Sequence, residues 1–431
     1  MQNWSDLVWP ANDFSRVPYP VFYDREIFNR EQERVFRGPL WCYVALKAEI
    51  PNPGDYKATF IGDTPVVVTR GPDGSINAWV NRCAHRGTMV VRTQFGNVKD
   101  FTCVYHHWCY DHQGNLIGVP FLRGLKGKGG MPKDFKMADH KLRRLAVDTY
   151  SEAIFASFEA NPEPLIEYLD APMRKTLDRL FKRPVEVLGY MRQLIPGNWK
   201  LYFENLMDAY HGGLLHQFQT TFAIARNTQV GGSILDKYGR HRTCFTMANS
   251  DTDDDAKEGY AGDSAFNEQL TLADPSVTKF VDEDGSGEGL TMMAIFPSVF
   301  FQRLNNTLAT RQIKPKTPNS FELYWTYFGY RDDTPAIREM RMRQVNLVGP
   351  AGLVSMEDGE VGRLVQLGID GADRDHSFIA MGGVGPITHQ DTVNTEVPIR
   401  GFWRYYCHLM GYVPQGGSAW PPPPPDRIAA E

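Results

Sequence analysis

Two cysteines and two histidines constrain this chain more tightly than any other stretch. They stand as Cys83-Ala-His85 and, seventeen residues later, Cys103-Val-Tyr-His106. Each run offers one sulfur and one nitrogen, so two loops must meet for the four donors to serve one centre. Thiolate and imidazole together suit zinc or iron–sulfur. A Cys-x-His opening departs from zinc fingers, where two closely spaced cysteines are the rule. A binuclear cluster with one iron on two Cys and the other on two His fits the pattern, and the imidazoles would raise its reduction potential. A structural zinc site is the competing reading. Gly87 follows His85 closely, where backbone must pass near a cluster, and Trp108 and Tyr110 could cover it. His107 should point elsewhere, and Cys109 reads as a packed thiol.

At 431 residues the chain exceeds one ordinary core, so two domains are expected. A hydrophobic share of 42% with 23% charged residues is a globular profile. A net charge of −5 gives no hint of nucleic acid or of an acidic membrane surface. No run approaches the roughly 20 apolar residues that span a bilayer. The start, MQNWSDLVWPANDF, lacks the basic and apolar regions of a secretory signal. Six scattered Cys (42, 83, 103, 109, 244 and 407) suggest a reducing compartment, hence the cytoplasm.

Residues 1–40 read as a lead-in with one helix, Asp24 to Phe36, which Gly38-Pro39 stops. Residues 41–160 hold short β-branched and aromatic runs between turn signals: Trp41–Leu46, Thr64–Thr69, Ala78–Val80 and a last strand at Ala153–Phe158. That is a small all-β domain. Gly124 to Pro132 reads as an exposed loop. From 161 to 415 helix and strand mix, which makes the chain α+β. Trp199 to His216 reads as a helix, Thr291–Leu304 and Ser320–Tyr330 as strands, Ala336–Val348 and Val397–Met410 as helices. Residues 251–289, acidic and Gly-rich, read as a mobile excursion, and 416–431 as a Pro-rich tail.

A second cluster lies about a hundred residues past the first: Asp208, His211 and His216. Asp208 and His211 share a helix face. His211 and His216 are about 140° out of register on a straight helix. They can face one metal only if the helix deforms, and Gly212-Gly213 lies between them. Two His and one carboxylate make the facial triad of non-haem Fe(II) oxygenases. The best-placed acid is Asp358, within Gly349-Pro-Ala-Gly-Leu-Val-Ser-Met-Glu-Asp-Gly359.

At these residues the chain resembles the large (α) subunit of Rieske non-haem iron ring-hydroxylating oxygenases, over nearly its whole length. The resemblance implies a Rieske [2Fe–2S] domain held by Cys83, His85, Cys103 and His106, and a catalytic domain of antiparallel sheet covered by helices. The lead-in of residues 1–40 would rest on that catalytic domain. It also implies a mononuclear Fe(II) held by His211, His216 and Asp358. Asp208 would then be a bridge, joining His106 of one chain to His211 of the next in a ring of usually three subunits. Electrons would come from NAD(P)H through a reductase and a ferredoxin, and a small β subunit would complete an α3β3 assembly.

Asn198-Trp-Lys-Leu-Tyr-Phe-Glu-Asn205, Gly129-Gly-Met-Pro-Lys-Asp134 and Ser355-Met-Glu-Asp-Gly359 are most similar to benzoate-acting types: salicylate 5-hydroxylase, anthranilate dioxygenase and terephthalate dioxygenase. An aromatic carboxylate calls for an Arg. Arg311 and Arg400 occupy positions that resemble carboxylate-contacting arginines of the terephthalate type. Asn205, Leu206, Met207, Ile295 and Phe300 are candidates to touch the ring. The competing functions are a terephthalate-type dioxygenase, a Rieske O-demethylase or monooxygenase, an electron carrier using the cluster alone, and a zinc-stabilised binding module.

Overall fold

A computed structural model describes residues 7–372 and 375–417, so the tail expected at Pro421–Pro425 lies outside the described residues. The chain divides into two compact units, one of Phe36–Leu165 and one of Met1–Val35 with Ile166–Glu431. Among the described residues no helix is long and apolar enough to cross a membrane.

The unit Phe36–Leu165 is all β. Its strands are β1 (Cys42–Leu46), β2 (Asp55–Ile61), β3 (Thr64–Arg70), β4 (Ile76–Val80), β5 (Phe95–Asn97), β6 (Phe101–Thr102), β7 (Cys109–Tyr110), β8 (Leu116–Gly118), β9 (Ala146–Tyr150) and β10 (Ala153–Ser157). They form three small sheets in the orders β4-β3-β2-β5, β9-β10-β1 and β8-β7-β6. Val66, Val67 and Val68 of β3 are all fully buried, so that strand is covered on both faces. Trp79 is buried and its indole N–H donates to the His112 carbonyl at 3.2 Å. Around it gather Cys83, Cys103, Trp108 and Tyr110, so the core and the predicted cluster loops are one body of side chains.

The other unit is built on a seven-stranded antiparallel sheet. Its strands are β11 (Val185–Ile195), β12 (Gly231–Leu235), β13 (Arg242–Met247), β14 (Glu288–Ile295), β15 (Val299–Leu304), β16 (Thr307–Thr317) and β17 (Ser320–Tyr330). They run in the order β11-β17-β16-β15-β14-β13-β12. Side chains on a strand alternate between faces, and residues paired across strands share a face. One row therefore crosses the sheet on one face: Trp325, Arg311, Phe300, Ala294 and Arg242. The next row on that face carries Met292 and Cys244. Behind the sheet lies α2 (Asp170–Leu180), whose Thr176 hydroxyl meets that of Thr243 at 3.1 Å. In front lies α3 (Trp199–Met207), whose Tyr202 hydroxyl accepts from Arg311 Nη1 at 2.9 Å.

The helix expected over Trp199 to His216 is three pieces. α3 ends at Met207, Asp208 takes extended backbone, α4 (Gly212–Leu215) is one turn, His216 is again non-helical, and α5 (Gln217–Thr221) follows. The breaks fall at Asp208 and His216, not at Gly212-Gly213. Gly213 is required for another reason: a Cβ there would run into the Asn227 side-chain carbonyl and the Tyr260 hydroxyl. Tyr260 belongs to the acidic segment expected to be an excursion. The first part of that segment instead forms α6 (Asp253–Gly259), and Ala256 and Tyr260 bury themselves beside Leu214, while most of 261–287 is irregular chain. α7 (Pro335–Val348) is capped by Thr334, whose hydroxyl accepts from Ile337 N–H, and α8 (Leu353–Ile369) follows it.

α1 (Arg25–Glu31) is capped by the Asp24 carboxylate, which accepts from the N–H groups of Glu26 and Ile27. Its last residue, Glu31, is wholly buried against α3 and α9 (Val397–Met410). Lys200 Nζ lies 2.7 Å from one of its oxygens, Trp199 Nε1 donates to the other at 2.8 Å, and the Tyr406 hydroxyl donates at 2.5 Å. Removing one member of a buried charge pair strands the other. Glu31→Gln is therefore expected to lower unfolding free energy by about 3 kcal/mol, read by chemical denaturation. A loss under about 1 kcal/mol would show that Lys200 finds another partner.

Candidate active site

The two cluster loops are near copies. Cys83 N–H donates to the Thr88 carbonyl and Gly87 N–H returns to the Cys83 carbonyl, at 2.8 and 2.9 Å. Cys103 N–H donates to the Trp108 carbonyl and His107 N–H returns to the Cys103 carbonyl, again at 2.8 and 2.9 Å. Both loops need a left-handed residue at the fourth place past the cysteine, and Gly87 (φ 75°) and His107 (φ 55°) supply it. Gly87 thus serves the turn; a Cβ there would meet only Arg82 at 3.9 Å.

Cys83 and Cys103 are buried while His85 and His106 are exposed, with ring centroids 4.5 Å apart. Trp108 stacks on His85 at 4.7 Å and 6°. The Tyr110 hydroxyl lies 3.2 Å from Cys83 Sγ and accepts from Ala84 N–H at 3.1 Å. All six cysteines are free thiols. Burial pushes the Cys103 thiol up, and the neighbouring Cys83 adds to that. Two close thiols in an apolar floor under two outward imidazoles fit a cluster with two sulfur and two nitrogen ligands.

In the larger unit, His211, His216 and Asp358 each aim one ligand atom at a common point, all within 4.8 Å of one another. Asp358 Oδ1 lies 3.4 Å from His211 Nε2 and 3.3 Å from His216 Nε2. Ligands at right angles, about 2.1 Å from an ion, would stand roughly 3 Å apart, so the triangle is of metal-binding size. The opposite ring nitrogens face carboxylates. His216 Nδ1 meets Glu357 Oε2 at 2.7 Å, and His211 Nδ1 lies 3.2 Å from Asp208 Oδ2, off the line of a hydrogen bond. Carboxylates on Nδ1 fix the tautomer that leaves both Nε2 lone pairs for the ion. Asn205 Nδ2, 3.1 Å from both His211 Nε2 and Asp358 Oδ1, sits where these acceptors call for positive charge.

α8 brings Asp358 to this point. The Ser355 hydroxyl donates to Gln193 Oε1 on β11 at 2.8 Å, and Gln366 Oε1 accepts from Asn198 N–H, at the cap of α3, at 2.8 Å. Helices α3 and α8 are thus stapled, one carrying Asn205 and the other Asp358. Burial alone would disfavour charge on every member. For His211 burial pushes the pKa down, but Asp208 and Asp358 outweigh it and raise it to about 10. His216 is raised by Asp358 and Glu357 against the same burial. Asp358 is buried too, yet the two imidazoles hold its carboxyl far below the usual range. Two buried groups and the half-buried His211, which can be charged only together, are a cation site whose charge protons supply in the ion's place.

Above the triad opens a cavity with about 650 Å³ of empty space, partly open to solvent. Leu206, Leu290, Met292, Phe300 and Val354 give it apolar walls, and Arg226, Arg242 and Arg311 add buried positive charge. Two donor clusters of these types, one with an apolar cavity over it, match what known families combine. Residues 40–128 match the Rieske [2Fe-2S] domain family, and residues 170–411 match the ring hydroxylating alpha subunit (catalytic domain) family.

The chain belongs to the ring-hydroxylating oxygenase alpha subunits. It is 49% identical over 409 residues to the anthranilate 1,2-dioxygenase large subunit of Burkholderia cepacia, covering 95% of this chain and 96% of that one. It is 43% identical to the salicylate 5-hydroxylase large oxygenase component of Ralstonia sp, covering 94% and 97%. It is 42% identical to the terephthalate 1,2-dioxygenase terminal oxygenase component subunit alpha 2 of Comamonas sp, covering 94% and 98%. Its fold is that of naphthalene 1,2-dioxygenase from Rhodococcus sp. (TM-score 0.77, 24% identity, 92% of this chain and 94% of that one). This ring-hydroxylating oxygenase subunit therefore carries a Rieske [2Fe–2S] domain and a catalytic domain that works with a mononuclear non-haem iron.

Not every expected residue reaches the cavity. Arg311, Asn205, Leu206 and Phe300 line it. Arg400 does not: its guanidinium donates to the carbonyls of Asp13, Gly383, Val384 and Gly385, tying α9 to two loops. Met207 is fully buried outside the lining, and Ile295 faces the back of the sheet because it alternates with Met292 and Ala294. Sequence reading missed Glu357, although its place beside Asp358 was the signal, and missed Arg242, a strand residue with no motif. Because a metal needs neutral imidazole, Fe(II) must displace protons from the His pair. Calorimetry in buffers of different ionisation enthalpy is expected to show proton release at pH 7 and affinity rising from pH 6 to 8. Affinity flat across that range would contradict it.

Proposed function

We propose that this chain is the oxygenase subunit that hydroxylates an aromatic carboxylate of the benzoate type, such as anthranilate or salicylate, using O2. Electrons would reach it from NAD(P)H through a reductase and a ferredoxin. The observation that carries this reading is a three-ligand triangle beside an apolar cavity whose wall holds two buried arginines, Arg242 and Arg311, with no ion-paired acid among the described residues. The names of the relatives support the carboxylate.

Cys83, His85, Cys103 and His106 would hold the cluster, and His211, His216 and Asp358 the single iron. When bound, the cluster passes on single electrons and the single iron activates dioxygen. The chain's own residues do the rest. Glu357 holds the Nδ1 proton of His216, and the Asp208 carboxylate beside His211 Nδ1 favours a proton there, so both Nε2 atoms stay turned to the ion's place. Leu206, Met292 and Phe300 exclude water and grip the ring. Arg311, held by Gln302 and Tyr202, adds a fixed positive charge that favours a carboxylate.

Asp208 accepts from its own neighbours' N–H groups, Tyr210 at 2.7 Å and His211 at 3.3 Å, and lies beside His211 Nδ1. In a ring of three chains with a small β subunit on each, it would join His211 to His106 of the neighbouring chain. Asp208→Asn is then expected to keep all its iron and lose at least about 100-fold in turnover; full turnover would reject the bridge. The substrate is tested by product analysis with 18O2 over salicylate, anthranilate, terephthalate and halobenzoates. Labelled hydroxylated acids are expected. Turnover of uncharged arenes alone would reject the carboxylate reading.

A further inference from the structure

The three arginines of the cavity wall are not equivalent. Arg226 is answered by acids, 3.0 Å from Asp253 and 3.7 Å from Asp251. Arg311 gives Nε and Nη2 to Gln302 Oε1 and Nη1 to the Tyr202 hydroxyl, which engages three of its five N–H groups. Its guanidinium lies 4.9 Å from the Phe300 ring and 4.3 Å from the Trp325 ring. Arg242, on β13, is 2% exposed. Its Nε donates to the Ser233 hydroxyl and its Nη1 to the Leu206 carbonyl, both at 3.0 Å. Its Nη2 has no partner among the described residues.

A buried guanidinium edge without an acceptor is costly, and charge makes it more so. Among the described residues no carboxylate comes within ion-pair distance of Arg242. Three further residues of the lining carry a buried polar atom without a partner among the described residues: Thr246 (Oγ1), two places along the same face of β13, Gln219 (Nε2) on α5, and His211 (Nδ1), which lies beside Asp208. The lining's carboxylates, Asp208 and Asp358, are turned to His211, and Asp208 acts on Arg242 only through space, so Nη2 is left without an acceptor in contact.

We propose that Arg242 binds the carboxylate of the substrate through Nη2 and so decides which ring carbon faces the triad. This rests on the aromatic-carboxylate reading above and goes beyond it in choosing Arg242 over Arg311. The sheet register supports the choice. Arg242 and Arg311 stand on one cross-strand row, separated by Ala294 and Phe300. At about 4.8 Å per strand their Cα atoms are roughly 14 Å apart, so one carboxylate has to favour one end. Arg242 is the end with a guanidinium nitrogen, Nη2, that has no partner among the described residues, whereas each Arg311 nitrogen has one. Its bond to the Leu206 carbonyl fixes it to the end of α3, two residues before Asp208 and five before His211, so the anchor is indexed to the triad.

The test uses the complete electron-transfer system with benzoate, anthranilate and salicylate, each paired with its uncharged amide. Arg242→Gln is expected to raise KM for the acids at least about 100-fold, with kcat within about threefold and the preference for acid over amide erased. Loss of packing alone would not remove that preference. KM within about twofold of the parent, with the preference kept, overturns the assignment. If Arg242→Gln fails to load the cluster and the single iron, Arg242→Lys carries the test. It keeps the charge and loses the planar fork, and KM for the acids is expected to rise at least about tenfold while KM for the amides stays; no change in either overturns the proposal. Failure of the parent protein to turn over any of the acids would instead reject the substrate reading itself.

Discussion

One carboxylate oxygen between two imidazoles holds the account together. Asp358 Oδ1 is 3.3–3.4 Å from both Nε2 atoms; Asp358 and His216 are buried and His211 is half-buried. Such a group is unstable without a positive charge at its centre, and protons or a metal can supply it. The staple between α3 and α8 exists around that point, and the outer carboxylates Glu357 and Asp208 turn both rings toward it. The cluster domain is the other half of the same logic: sulfurs inside, imidazoles outside, an electron store whose nitrogen edge meets solvent.

The sheet sets what can enter. Its antiparallel register places Arg242, Phe300 and Arg311 in one row and Cys244 and Met292 in the next, all facing the cavity. Strand alternation therefore gives a floor with cations at two places and apolar area between them. A bound aromatic acid could lie along that floor with one end anchored and one edge over the triad. The back of the sheet, where Thr243 meets Thr176, packs against α2.

Most of the chemistry could be read from sequence, because ligand spacing is local. The two cysteine loops, the need for a broken helix around His211 and His216, and the strands at Thr64–Thr69 and Ser320–Tyr330 all announce themselves within a few residues. The site of the helix break was misplaced: glycines suggested Gly212-Gly213, but the backbone departs at Asp208 and His216, where tertiary demands on ligands override propensity. α8 was hidden for the same reason, since Gly359, Gly362 and Gly368 each weaken an isolated helix by about 1 kcal/mol. Long-range partners left no local mark. Arg400 looked like a substrate arginine and is a loop strap, whereas Arg242, on a strand that carries no motif, went unnoticed and is the arginine with an idle edge. Glu31 with Lys200 likewise joins residues 169 positions apart.

Diffraction from crystals of the iron-loaded protein at the iron absorption edge tests the central claim most directly. The anomalous map should show a two-iron peak bounded by Cys83 Sγ, Cys103 Sγ and the rings of His85 and His106. A separate single-iron peak should sit among His211 Nε2, His216 Nε2 and Asp358 Oδ1. A single iron ligated elsewhere, or through the Nδ1 atoms that face Asp208 and Glu357, would contradict it.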